Sequence, residues 1–369
     1  MASHAAFPLS FLGIGWFLTG GCLAIPSLAR SQGTALPGLS QKRQEPDQAP
    51  TGPRQSNPAP DIPALRKAAA AGDALAQVSL AHLIFSGMVK DAKPETGAAL
   101  LETAADSGHA PAQYALASFL QSGFAGKQAD PERAKFLIQQ AAESGYALAQ
   151  AAYGALLMEE IDPTKPKVSY AGPLQWFRKA ADQADPGAMC RLGMMAAAGQ
   201  GMEADPAAGW KLISKAAQAR HPLALNEAGV CLQQGRGVEK DQTAAIGYFH
   251  AAADLGNPAA MVNLGSCYRS GTGIPQDLHK AGAAFAAGAK ANFGPAQLLL
   301  GEMFERGEGT AASPVNAAIN YRRAIANGVL PAIDRFEALK PNLSPKELRE
   351  VEQATRTRDP STAPVGRDP

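Results

Sequence analysis

The sequence predicts an all-α fold, a helical-repeat solenoid of about seven helix-turn-helix units, each close to 36 residues, running from Asp61 to Pro341 with half-repeats at both ends. Three observations carry that expectation. The segment Ala-Ala-x-x-Gly-x-x-x-Ala recurs at Ala104 to Ala112, Ala141 to Ala149 and Ala252 to Ala260. Columns of fixed residue size flank it, and glycine turns recur at the same interval.

With the glycine of that segment as anchor, the copies fall at Gly72, Gly108, Gly145, Ala184, Arg220, Gly256, Asn292 and Gly328. Four places later stand Ala76, Ala112, Ala149, Ala188, Ala224, Ala260, Ala296 and Ala332. Seven places earlier stand Leu65, Leu101, Ile138, Phe177, Ile213, Phe249, Phe285 and Tyr321, all large. A chance register would scramble these sizes. Small residues let helices approach and large ones fill the remaining space, so the columns describe stacked helices.

Each element follows in order. Residues 1–29 lack Lys, Arg, Asp and Glu, and the run from Phe7 to Ile25 is apolar, which reads as an export signal cleaved after Ser27-Leu28-Ala29. Leu18-Thr19-Gly20-Gly21-Cys22 offers lipid attachment at Cys22 as an alternative, and an uncleaved membrane anchor is a third reading. Both exported locations, periplasmic and extracellular, fit the first reading, and a membrane-anchored lipoprotein fits the second. Residues 30–60 carry six prolines among Gln, Ser and Gly, the composition of a disordered linker. A similar disordered tail is expected over 357–369.

Within each repeat, a first helix ends at a paired glycine turn such as Gly235/Gly237 or Gly271/Gly273, where conformations unfavourable to a Cβ are needed. In the clearest copy that helix spans Pro258 to Ser270. A second helix then starts at an N-cap, at Asp130, Asp205, Asp241, Asp277 and Ser313, with proline in the first helical position at Pro131, Pro206 and Pro314. The turn from Glu159 to Ser169 departs from the pattern: it lacks the paired glycines and is lengthened by Asp162-Pro163-Thr164-Lys165-Pro166-Lys167. Residues 61–71 and 331–339 supply lone helices at the ends. Ser344-Pro345-Lys346-Glu347 is a capping box that opens a polar helix, expected over 342–356 and closing the last apolar face.

The pattern Ala-x-x-x-Leu-Gly-x-x-Tyr-x-x-Gly-x-Gly-x-x-x-Asp, from Ala260 to Asp277, resembles the Sel-one-like repeat, a branch of the tetratricopeptide superfamily. The resemblance covers about 270 residues. It implies a right-handed superhelix whose first helices line a concave groove used in complex assembly and signalling. It also brings an enzyme alternative, because some Cys-rich relatives bind or hydrolyse β-lactams. Here the paired cysteines and a Ser-x-x-Lys nucleophile are both missing, and the expectation is a non-enzymatic scaffold.

Composition excludes other classes. With 34 basic and 33 acidic residues the formal charge is +1, so no global field draws the chain to nucleic acid, and a membrane would be met only through the signal or Cys22. No phosphate loop or helical pair of metal-ligating histidines occurs, and no cofactor is expected. Cys190, Cys231 and Cys267 read as buried small apolar residues. Acidic residues read mainly as helix caps and solvated faces, and the Gly-x-Gly turns as backbone punctuation.

Core columns on the first helix fall four, eight, eleven and twelve places after the anchor. The other arc, at seven, ten, thirteen and fourteen places, is expected to face groove or solvent. It holds Arg191, Glu227 and Asn263 in one row and Gln233, Arg269 and Glu305 in another, with Glu302 and Arg306 beside them. These polar side chains concentrate in the C-terminal four repeats, whereas earlier copies present Ser79, Ala115 and Ala152. The expected function is therefore an exported adaptor that holds a peptide or folded partner in the groove and regulates an envelope complex or signalling pathway. A structural spacer or cell-wall-polymer binder is the remaining alternative.

Overall fold

The computed structural model describes residues 60–123, 128–162, 164 and 168–356. The expected signal, Cys22, the linker up to residue 59 and the tail from 357 lie outside the described residues. Among those described there are helices and no strand, and none of the helices is long and apolar enough to cross a membrane.

The chain forms two compact units that meet in sequence at Ala219 and Arg220. In unit 1, α1 (Ile62–Ala70) precedes four helix pairs: α2 (Ala74–Phe85) with α3 (Pro94–Asp106), α4 (Ala110–Ser122) with α5 (Pro131–Glu143), α6 (Ala147–Glu159) with α7 (Ala171–Asp182), and α8 (Pro186–Ala198) with α9 (Pro206–Gln218). Unit 2 has three pairs, α10 (Pro222–Gln234) with α11 (Gln242–Asp254), α12 (Pro258–Ser270) with α13 (Leu278–Lys290), and α14 (Gly294–Arg306) with α15 (Pro314–Ala326). A lone α16 (Pro331–Leu339), a 3-10 turn (Lys340–Asn342) and α17 (Pro345–Thr355) follow. Within each unit, a first helix packs on its own second helix, and that second helix packs on the next first helix.

The sequence explains where each helix stops. All eight anchors have positive φ: the glycines lie between 77° and 92°, and Ala184, Arg220 and Asn292 take 61°, 57° and 58°. The chain reverses there in the left-handed region, which a side chain enters at a cost. Asp130, Asp205, Asp241, Asp277 and Ser313 each accept a hydrogen bond from a backbone N–H of the helix they open. Ser344 and Glu347 form the reciprocal capping box of α17. The glycine of each turn that follows α8, α10, α12 and α14 is a left-handed C-cap.

The core is the two columns. Every alanine four places after the anchor is buried, from Ala76 to Ala332, and so is the large residue seven places before it from Leu101 to Tyr321. Leu65 is half-buried, on a helix that no first helix precedes among the described residues. Cys190, Cys231 and Cys267 are buried thiols.

Two further columns add to the packing, one within pairs and one between successive helices across the anchor. A small residue nine places after the anchor faces the large residue of the same pair. Where that residue is glycine, a Cβ would meet the facing side chain: 2.9 Å from Phe177 at Gly154, 2.8 Å from Ile213 at Gly193, and 2.6 Å from Phe249, Phe285 and Tyr321 at Gly229, Gly265 and Gly301. Where it is Ala81 or Ala117, the residue in the large column of the same pair is the aliphatic Leu101 or Ile138. The second column is buried glutamine. Gln77, Gln113, Gln150 and Gln297 each donate through Nε2 to the carbonyl three places before the anchor, namely Ala69, Ala105, Ala142 and Ala289, at 3.1 to 3.5 Å. Those carbonyls lie in the last turn of the preceding helix and also accept the backbone N–H of the anchor residue.

Candidate protein-binding surface

In unit 2 the first helices of successive pairs are joined to one another by side chains. Asn263 on α12 donates to Asn226 Oδ1 on α10 at 2.9 Å, and Gln233 donates to Cys267 Sγ at 3.6 Å. Arg269 on α12 reaches Glu302 on α14 at 3.3 Å, and Arg335 on α16 reaches the other oxygen of Glu302 at 3.6 Å. A polar seam thus runs across α10, α12, α14 and α16.

Its strongest member is Arg269. Nε donates to Glu308 Oε2 at 2.7 Å and Nη2 to Glu308 Oε1 at 3.1 Å, a two-point match of guanidinium to carboxylate. Glu308 sits between Gly307 and Gly309, whose φ values of 69° and 68° fold the turn back toward the helix row. Burial works against the Arg269 charge, yet Glu308 and Glu302 raise its pKa above the ordinary arginine value. In turn the hydrogen bond from Arg269 holds the Glu308 carboxyl below its usual range. Arg306 adds a contact to Glu308 at 3.4 Å.

The other expected residues divide. Asn263 and Gln233 are half-buried members of the seam, and Arg306 is exposed at its edge. Glu227 does not face solvent: it is buried, with Oε1 accepting from Asn226 at 3.2 Å and Oε2 lying 3.9 Å from Arg236. Burial pushes its carboxyl pKa up, with Arg236 and Asn226 acting in the opposite direction. Glu305 is turned out of the row, because it accepts the hydroxyl hydrogen of Tyr321 and so belongs to the α14–α15 packing. Arg191 lies in unit 1, half-buried, with its guanidinium 5.8 Å from the Phe177 ring centroid. Burial lowers its pKa, opposed by Cys190, Glu159 and Asp185.

Sequence reasoning missed Asn226, Arg236, Glu308 and Arg335. Arg335 stands seven places after Gly328, in the same column as Glu227 and Asn263, so its signal was available. Arg236 and Glu308 are the middle residues of Gly-x-Gly turns. Those turns are more than punctuation, since their central side chains reach back to Glu227 and Arg269. The reading of acidic residues as caps and solvated faces likewise fails for Glu227, Glu302 and Glu308, which hold cations inside the seam.

Unit 1 is built differently at this level. Ser79, Ala115 and Ala152 are half-buried, and aromatic side chains meet beside them, with ring centroids 5.7 Å apart for Tyr114–Tyr146 and 5.3 Å for Tyr153–Trp176. An open depression of 550 Å³ lies at the end of the lengthened turn, against Tyr170, Leu174 and Arg178 of the α7 region. Among the described residues no group of His, Cys, Asp and Glu is arranged to hold a metal.

A Sel1 repeat family model matches residues 74–109, 110–146, 174–185, 186–221, 222–257, 258–283 and 294–329, more than half of the chain. The chain belongs to the Sel1 repeat family. The largest internal gap in the match, 147–173, contains α6 and the lengthened turn. The Sel1 repeat fold is typical of protein–protein interaction scaffolds, and Sel1 repeat proteins are generally non-enzymatic.

Among solved structures, the chain is similar to a protective antigen with an SLR fold from uropathogenic Escherichia coli strains. The two are 23% identical over 80% of this chain and 64% of the antigen, with a TM-score of 0.49. The chain thus spans less than two thirds of that protein. It is 28% identical to a Sel1 repeat protein from Oxalobacter formigenes, over 75% of this chain and 80% of that one, with a TM-score of 0.49. A putative Sel1 repeat protein from Klebsiella pneumoniae is 23% identical, over 56% of this chain and 99% of that one, with a TM-score of 0.41. No curated protein matches the sequence.

Proposed function

We propose that this Sel1 repeat protein is an exported, non-enzymatic scaffold that binds a segment of another protein along the first helices of unit 2. The observation that carries the reading is the seam across α10, α12, α14 and α16. Polar side chains that bridge one repeat to the next form a continuous strip of hydrogen-bonding groups, held in place by packing and by each other. A rigid, prepaid arrangement of this kind lowers the ordering cost of association. Export is supported by the uncharged apolar stretch over residues 1–29.

Photo-crosslinking separates this surface from the rest of the molecule. A crosslinking residue placed at Asn263 or Arg306 in cells should capture a defined protein, whereas one at Lys290 on α13 should not. Identical adducts from both faces would remove the assignment. Fractionation of the same cells tests export, and labelling with palmitate in wild type against Cys22→Ser distinguishes cleavage near Ala29 from a lipid anchor.

A further inference from the structure

The outer ion pairs of the unit 2 seam are layered by depth, around a central Arg269–Glu308 pair whose side chains lie at about equal depth, 21% and 23% exposed. The Arg306 side chain is 47% exposed and its partner Glu308 23%; Arg335 is 42% exposed and its partner Glu302 15%. Arg236 lies outside Glu227 in the same order. The greater reach of arginine contributes to such layering, but reach alone does not impose it on this chain. In the Arg66–Asp91 pair of unit 1 and the Lys340–Glu337 pair of α16 the carboxylate is the more exposed partner.

The deep carboxylates are also already engaged. Glu308 takes two hydrogen bonds from Arg269, and Glu302 takes one. Arg306 and Arg335 each make one long contact, at 3.4 and 3.6 Å, leaving most of their five N–H donors toward solvent. The seam, with four arginines against three glutamates, thus shows an approaching molecule its cations first.

We propose that the segment bound by this surface is acidic, with carboxylates that pair with Arg306 and Arg335 above the engaged glutamates. The inference rests on the protein-binding function proposed above and adds the chemistry of the partner. A peptide is favoured over a nucleic acid because the carboxylate layer lies directly beneath both arginines. A continuous run of phosphates is repelled by that layer, whereas separated carboxylates need only meet the two cations.

The full chain is to be tested against immobilised short peptides of acidic, neutral and basic composition, with oligo-dT as a polyphosphate probe. Acidic peptides should bind best. Their affinity should fall about tenfold or more in the double variant Arg306→Gln/Arg335→Gln, and should weaken as salt rises. Arg306 is exposed and Arg335 partly so, and an unchanged thermal midpoint verifies the fold. Preferred binding of neutral or basic peptides, lost on Asn263→Ala but indifferent to the arginine variants, leaves the binding surface standing and overturns the acidic partner. Tighter binding of oligo-dT overturns it as well. Peptide binding of every class that is unaffected by Asn263→Ala and by the arginine variants overturns both proposals.

Discussion

Ala184, with φ of 61°, occupies a position that five of the eight copies give to glycine. An L-residue in the left-handed region costs about 1–2 kcal/mol, partly offset by the smaller entropy loss of a non-glycine residue on folding. Ala184→Gly should therefore raise stability by about 0.5–1 kcal/mol, read as a higher urea midpoint at unchanged slope. Gly145→Ala, at φ of 91° with open space around its Cβ, should lower stability by a similar amount from conformation alone. Glu227 makes a second residue-scale prediction. Its folded pKa lies above the ordinary value because burial opposes its charge. As pH rises past that ordinary value the unfolded chain releases its proton first, so the residue lowers stability progressively until the folded pKa is passed. Glu227→Gln should match wild type near about pH 4 and gain on it as pH rises to about 7. A variant less stable at neutral pH would mean that the Arg236 contact outweighs the burial. These residues also mark what the sequence made legible. The anchor was visible because alanine and glycine recur, while the burial of Glu227 was not, since whether a polar column is covered depends on side chains from neighbouring copies that differ in length.

At the scale of helices, the ends were readable from local chemistry. Aspartate followed by proline starts a helix, paired glycines stop one, and α12 spans Pro258–Ser270 as periodicity indicated. The fit of first helix to second was not readable from one copy. It emerges from the small residue on one helix and the ring on the other, 20 residues apart in the α12–α13 pair. Gly265→Ala should cost about 1–3 kcal/mol by driving a methyl group into Phe285. Adding Phe285→Leu should recover part of that loss, because the pair then has the alanine-with-aliphatic form of α4 and α5. A double-mutant cycle measures it, and a coupling energy of about 1 kcal/mol or more is expected. Additive costs would mean that the contact is not what sets the approach of the helices. The polar seam was half legible for a related reason. Asn263 and Arg269 stand in non-core columns, but Glu308 is in a turn, where its side-chain direction is fixed by two left-handed glycines that periodicity does not report.

For the molecule as a whole, each repeat stabilises its neighbours, so a local loss should stay local. The end of unit 2 tests this. Val351 on α17 and Leu343 before it are buried in one cluster with Tyr321 and Leu339. Full burial of such side chains is worth about 1.5–3 kcal/mol each. A chain ending at Asn342 should lose amide protection in α15 and α16 while α2 to α8 in unit 1 keep theirs, as read by hydrogen exchange. Uniform loss in every helix would mean that the whole array unfolds as one. The family and the repeat register were legible at this scale because hundreds of residues report on them together. The partner was not, since the seam depends on fewer than a dozen side chains whose ordering by depth exists only after folding.

The matching of small residue to ring also bears on how such a gene can change length. Each match is internal to one helix pair, Gly154 with Phe177 or Gly265 with Phe285. Recombination between copies that breaks at the anchor keeps every partner together, and the array gains or loses a whole pair without a new clash. A break at the glycine turn inside a pair can join an Ala81-type helix to a Phe177-type helix, setting a methyl group against a ring. The opposite join sets a glycine against an aliphatic side chain, a combination that Gly193 and Ile213 already carry in close contact. Duplication in this array therefore has a phase, and the anchor is where viable breakpoints should fall.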